Sequence, residues 1–271
     1  MSDFPYVPLE AKGWRMAMGL RPLDMDRWLE IDTHRDSELD EKRKLLATKR
    51  DVVVATTRAG DEGSLELLGE VTAFLKDHLS TFTSDPSADD HPIVAAARVV
   101  QEDLCVLVRS DAWRLQAACV CFPSRWNLAS KLGATLDDIH RPVPSYDVEL
   151  SHPTNAFFER LKPERSFWRL NWTLIDSPVL HQPTSARHSP HGDLDNWFFR
   201  VERQTLRRLR ESDAVVFTIR NYVASAQSLC DAHPEFGATL LLNLDTAPEA
   251  MREYKGWHGV ADRLRDSLSA T

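Results

Sequence analysis

At 271 residues, 42% hydrophobic and 27% charged, the chain is polar enough to be globular and long enough to bury one large core or two small ones. A formal net charge of −8 excludes the basic footprint of a nucleic-acid binder or of a protein drawn to anionic membranes. No apolar run approaches the roughly 20 residues that span a bilayer.

The opening residues Met1 to Pro5 carry neither the basic nor the apolar region of a signal peptide. Phe4 to Gly13 is punctuated by prolines and reads as extended, and Asp24 or Asp26 is placed to cap a turn holding Trp28 and Leu29. Leu39 to Thr48 suggests a short helix and Val52 to Ala55 a short buried strand. Gly60 to Gly63 breaks the chain; Ser64 then caps an amphipathic helix with Leu67, Val71, Phe74 and Leu75 along one stripe. Ser84 to Asp90 is the one stretch with the composition of a linker.

The middle of the chain is rich in β-branched and aromatic runs. Leu104 to Val108, Trp113 to Phe122, Phe167 to Ile175, Trp197 to Glu202 and Ala214 to Tyr222 read as five strands, with Ser110-Asp111 as a tight hairpin turn. Phe157, Phe158 and Leu161 mark an amphipathic helix, and the pattern turns helical again over 224–232, 248–255 and 259–268. Five strands with helices gathered to one side predict an α+β fold built on an antiparallel sheet.

The stretch from Cys121 to Tyr146 packs the most local instructions. Pro123 ends a strand, Ser124 is placed to cap a short helix bearing Trp126 and stopped by Gly133, and Thr135 is placed to cap a second turn. That turn delivers Ile139 and His140 into Arg141-Pro142-Val143-Pro144, where Pro142 should drive Arg141 out of helical conformation. Such an arrangement can hold one imidazole in one orientation; it also describes many ordinary helix ends.

The ten histidines contain no His-Glu-x-x-His pair, and the chain lacks the glycine-rich phosphate loops and Gly-x-Ser-x-Gly. His188 and His191 can hold a metal at their spacing, and equally form a solvated loop. Cys105, Cys119, Cys121 and Cys230 have no zinc or haem-attachment spacing and read as reduced core thiols of a cytoplasmic protein. Arg169 lies between aromatic neighbours, and Arg203 follows a strongly apolar run. A buried guanidinium needs an anion, either a carboxylate of the protein or one belonging to a ligand.

Eight blocks carry a resemblance. Met18-Gly-Leu-Arg-Pro-Leu-Asp, Phe122-Pro-Ser-Arg-Trp, Lys131-Leu-Gly, Ile139-His-Arg-Pro-Val-Pro, Trp168-Arg-Leu-Asn-Trp, Arg200-Val-Glu-Arg-Gln-Thr-Leu-Arg-Arg-Leu, Val216-Phe-Thr-Ile-Arg and Tyr254-Lys-Gly occur in order from Met18 to Gly256. Together they resemble the α subunit of the haem-dependent oxidative N-demethylase family.

The resemblance implies a PAS-like curved antiparallel five-stranded sheet with helices packed on one side, extended by N- and C-terminal helices. It implies one domain over 1–271 with its PAS-like core at about 95–225. It also implies haem b and oxidative removal of a methyl group from a small alkylamine with O2. Electrons would come from NADPH through separate flavin and iron–sulfur partner subunits, since the cysteines here cannot ligate such a cluster. On that footing His140 is the candidate axial ligand to iron, with helix-end or backbone bonding as its ordinary alternative. Arg169 and Arg203 become candidate propionate clamps, and Trp126, Trp168, Trp172 and Phe217 candidate lining of the macrocycle, each equally at home in a core. A haem or small-molecule sensor without turnover is the alternative function.

Overall fold

The computed structural model describes residues 4–83, 90–186 and 188–269; residues 84–89, most of the expected linker, lie outside them. In chain order the elements begin with β1 (Arg21–Pro22), α1 (Arg35–Thr48), α2 (Arg50–Val53), β2 (Val54–Thr56), α3 (Asp61–His78) and α4 (Pro92–Ala97). The hairpin β3 (Asp103–Arg109) and β4 (Trp113–Cys119) leads into α5 (Leu136–His140), α6 (Tyr146–Glu149) and α7 (Ser151–Arg160). Three long strands follow, β5 (Phe167–Ile175), β6 (Phe198–Arg208) and β7 (Val215–Ser225), and the chain closes with α8 (Ala226–Ala232), α9 (Phe236–Thr246), α10 (Glu249–Lys255) and α11 (Val260–Ser269). No helix among the described residues is long and apolar enough to cross a membrane.

The fold is α+β, and all five expected strands form. The sheet is antiparallel throughout but has seven strands rather than five, in the order β1-β5-β6-β7-β3-β4-β2. The two additions are short edge strands, β1 on β5 and β2 on β4.

Helices cover both faces of this sheet. On one face, Leu104, Val106, Cys119 and Val216 pack with residues of α1, α3 and α4. Further along that face, Trp172, Phe199 and Val201 pack with α8, α9 and α11. The opposite face carries Cys105, Ala118 and Leu206, and it meets Leu136 of α5 and Phe158 of α7. Alternation along each strand dictates the split, because neighbouring residues project to opposite sides. The helical extensions therefore lie on one face and the mid-chain helices on the other.

Two local expectations fail. No helix forms over 124–133: Arg125 adopts a left-handed φ of 61°, and Ser124 pairs in a β-bridge with Gln182. Arg141 stays in the helical region (φ −47°, ψ −36°) despite Pro142, held by the Val143 N–H donating to the His140 carbonyl at 2.8 Å. Helix α9 had no anticipated counterpart, and Val52 and Val53 end a helix before the short strand begins.

Candidate functional site

The face covered by the mid-chain helices carries the polar residues that can do chemistry. Helix α5 starts where Thr135 Oγ1 accepts from the Asp138 N–H at 3.1 Å, as its cap position implied. Leu136 anchors this single turn in the core, and His140 closes it.

His140 Nδ1 lies 2.8 Å from the Leu136 carbonyl oxygen. A carbonyl only accepts, so Nδ1 carries the proton and Nε2 keeps its lone pair. Nε2 makes no hydrogen bond to any described residue. The ring stacks on Tyr146 with centroids 4.6 Å apart and planes 13° from parallel. Burial lowers the pKa of His140 below 6.5, and the charges of Arg169 and Lys131 lower it further against the Leu136 hydrogen bond. Lys131 is tied down by donating to the Ile139 carbonyl at 2.7 Å. The imidazole is thus fixed in orientation, held in one tautomer and kept neutral.

Arg169 reaches the same face from β5, directly across from Gln204 of β6. Its Nε is shut off from solvent and has no hydrogen-bond partner. Burial lowers its pKa, and the charge of Glu202 opposes that. The next pair along is Asn171 and Glu202. Glu202 Oε2 accepts from Gln204 Nε2 at 2.8 Å and from Asn171 Nδ2 at 3.2 Å. Lys255 of α10 reaches this edge of the sheet, donating to the Trp172 carbonyl at 2.7 Å and to Asn171 Oδ1 at 3.3 Å. Trp126 and Phe217 pack beside the apolar cluster on this face, together with Ile139 and Phe157.

Arg203 and Trp172 project the other way. Arg203 is buried and pairs with Glu30 at 3.3 Å; it also donates to the carbonyls of Trp28 and Arg27. Its guanidinium holds the N-terminal segment against the sheet and lies 5.5 Å from the Trp168 ring. Trp172 stacks on Trp257 at 4.8 Å in the C-terminal core. The structure therefore brings His140, Arg169 and Trp126 to one face and separates Arg203 and Trp172 from them.

Arg200 shares a strand face with Glu202 and feels its charge but forms no ion pair with it. Arg200 donates to Asn221 Oδ1 at 2.9 Å, the Phe122 carbonyl at 2.6 Å and the Leu180 carbonyl at 3.0 Å. His188 and His191 are exposed in their loop, and no group of three or more potential metal ligands exists among the described residues. Glu202, Gln204 and Asn171 were not anticipated as a group. Within a strand their spacing of two was readable, but their meeting depends on the β5–β6 register.

A protein-family model described as haem-dependent oxidative N-demethylase, alpha subunit-like, matches residues 77–265. The chain belongs to this family. The match spans well over half of the sequence and includes β3 to β7 with every residue of the site just described. The family's description makes the chain α-subunit-like, a part of a system with further subunits, and implies dependence on haem.

Proposed function

We propose that this chain is the haem-holding subunit of an oxidative N-demethylase acting on a small alkylamine, supplied with electrons by a separate redox partner. One observation carries the reading: a fixed, neutral imidazole with a free Nε2, in the electrostatic reach of an enclosed guanidinium that lacks a hydrogen-bond partner at Nε. These are the two donor types a haem asks of a protein, a nitrogen lone pair for iron and a cation for a propionate.

His140 would bind the iron through Nε2, while the Leu136 carbonyl fixes the ring and strengthens its donor nitrogen. Arg169 would meet a propionate and so complete its own unmet hydrogen bonding. Trp126 and Phe217 would supply apolar wall. Arg203 is committed to Glu30, and Trp172 to Trp257, so neither joins the set. When bound, haem supplies the one-electron and O2 chemistry that oxidative N-demethylation requires.

A PAS-like core over about 95–225 within one domain is part of the same proposal, supported by five long antiparallel strands with mid-chain helices on one face. The cofactor would be haem b, because the cysteines lack attachment spacing. Electrons would pass from NADPH through flavin and iron–sulfur partner subunits. Four unpaired cysteines fit a reducing, cytoplasmic setting.

The test is an absorbance spectrum of the purified chain after haem addition, then formaldehyde release from dimethylamine with NADPH and a reductase. A Soret band with formaldehyde supports the reading. Haem binding without turnover under any partner supports a sensor instead, and absence of a Soret band overturns both.

A further inference from the structure

We propose that Glu202 recognises the protonated nitrogen of the substrate, making a small N-methylammonium ion with at least one N–H the preferred ligand. The inference rests on the demethylase reading and adds to it the residue that selects the amine.

Glu202 is 8% exposed, yet it forms no ion pair with any described residue. Neutral amides satisfy only one of its oxygens: Gln204 and Asn171 both donate to Oε2, and Oε1 accepts from no described residue. The nearest arginine on its own strand face, Arg200, spends its donors on Asn221, Phe122 and Leu180. Arg169 and Arg200 reach Glu202 only through their charge, so Oε1 has no N–H donor among the described residues, and a cationic guest with an N–H supplies one.

The position suits the role. Arg169 and Gln204 form one cross-strand row, and Asn171 and Glu202 form the next, about 7 Å further along the face. Arg169 feels the charge of Glu202 without forming an ion pair with it. A propionate on Arg169 would neutralise that cation and leave the carboxylate charge for a second, cationic guest one row away. Asn171 is braced by Lys255, and Gln204 comes from the same strand, so the Oε2 side is fixed and the Oε1 side is left to a ligand. A carboxylate in such a place rejects a neutral isostere by leaving itself uncompensated.

The experiment is calorimetric titration of the haem-supplemented protein with dimethylammonium, its neutral isostere dimethyl ether, and tetramethylammonium, which has no N–H. Wild-type protein should prefer dimethylammonium over either by about tenfold or more. Glu202→Gln should remove that preference while leaving dimethyl ether binding and the Soret band unchanged. Equal affinities across the wild-type series, or full retention of the preference in Glu202→Gln, overturn the proposal. The wild-type series decides alone if the variant does not fold. Haem bound without amine preference sinks Glu202's role and spares the haem reading; amine preference without a Soret band does the reverse.

Discussion

Arg169 and Arg203 occupy neighbouring strands but opposite faces of the sheet, because Arg169 stands across from Gln204 while Arg203 stands across from Leu170. The two guanidiniums therefore answer to different partners. Arg203 has Glu30 and two backbone carbonyls, whereas Arg169 makes no hydrogen bond or ion pair with any described residue.

Their variants should behave differently. Arg203→Leu leaves Glu30 with Arg27, Tyr6 and Tyr222 but removes the donors to the Trp28 and Arg27 carbonyls, and should destabilise apoprotein and holoprotein alike, by about 1–3 kcal/mol. Arg169→Leu should leave the apoprotein's melting temperature unchanged or slightly raised and weaken haem retention by about 1.5–3 kcal/mol. Thermal melts with and without haem separate the two patterns. Equal losses in both forms for Arg169→Leu would remove it from the haem site.

Much of this was legible in the sequence because it depends on neighbours. The spans of β3 and β5, the Thr135 cap and the placement of His140 at a helix end follow from local residue types. Alternation alone puts Arg169 and Asn171 on one face of β5 and Trp168 and Trp172 on the other. What alternation cannot tell is which face of β5 matches which face of β6, so Arg169 and Arg203 looked equivalent. The Ser124 helix failed for a similar reason: its cap residue pairs instead with Gln182, far along the chain. Edge strand β1 is two residues long and exists only through pairing with β5, so no local pattern announces it.

The glycines flanking the start of α3 show why a chain break and a close approach look alike in sequence. A Cβ at Gly60 would lie 2.7 Å from Ala117 Cβ and 2.8 Å from the backbone of Gln116, where β4 bulges against β3. Backbone at that distance cannot yield cheaply, so Gly60→Ala should cost about 1–3 kcal/mol. Gly69, in the middle of α3, has nothing within 4 Å of its would-be Cβ. Gly69→Ala should instead stabilise by about 0.5–1 kcal/mol through helix propensity. Denaturant unfolding of the two variants should shift the midpoint in opposite directions.

Asp103 supplies a pH dependence with a definite sign. It is wholly buried, it accepts from the Cys121 N–H at 2.7 Å and the Phe122 N–H at 3.0 Å, and Lys42 lies 4.0 Å away. Burial pushes its pKa up from 3.8 to about 6, against the pull of Lys42 and the two backbone groups. The folded state then holds its proton more tightly than the unfolded chain. Its contribution is fully present below 3.8 and is lost as pH rises through about 6. Asp103→Asn keeps an acceptor for the backbone and cannot titrate. The difference between wild-type and variant stability should change by up to about 3 kcal/mol across that window. A flat difference between melts at pH 4 and pH 7 would show that Asp103 does not titrate there.

His140 carries the opposite slope and the most direct test of the site. Its pKa is depressed below 6.5 by burial, Arg169 and Lys131, so the unfolded chain takes up the proton first as pH falls. The apoprotein should lose this contribution as pH drops from 6.5 through the lower folded value, and His140→Ala should lack that loss. In the proposed holoprotein, iron on Nε2 would compete with the proton for that nitrogen, so haem ligation should outlast a fall in pH that would protonate free imidazole. His140→Ala should lose most of the haem, or hold it in a weakly ligated form whose spectrum returns on adding imidazole. Loss of the Tyr146 stack and the Leu136 hydrogen bond should cost the apoprotein only about 1–2 kcal/mol, so the variant remains folded for the measurement. A wild-type Soret band in His140→Ala, without added imidazole, would transfer the role to another donor.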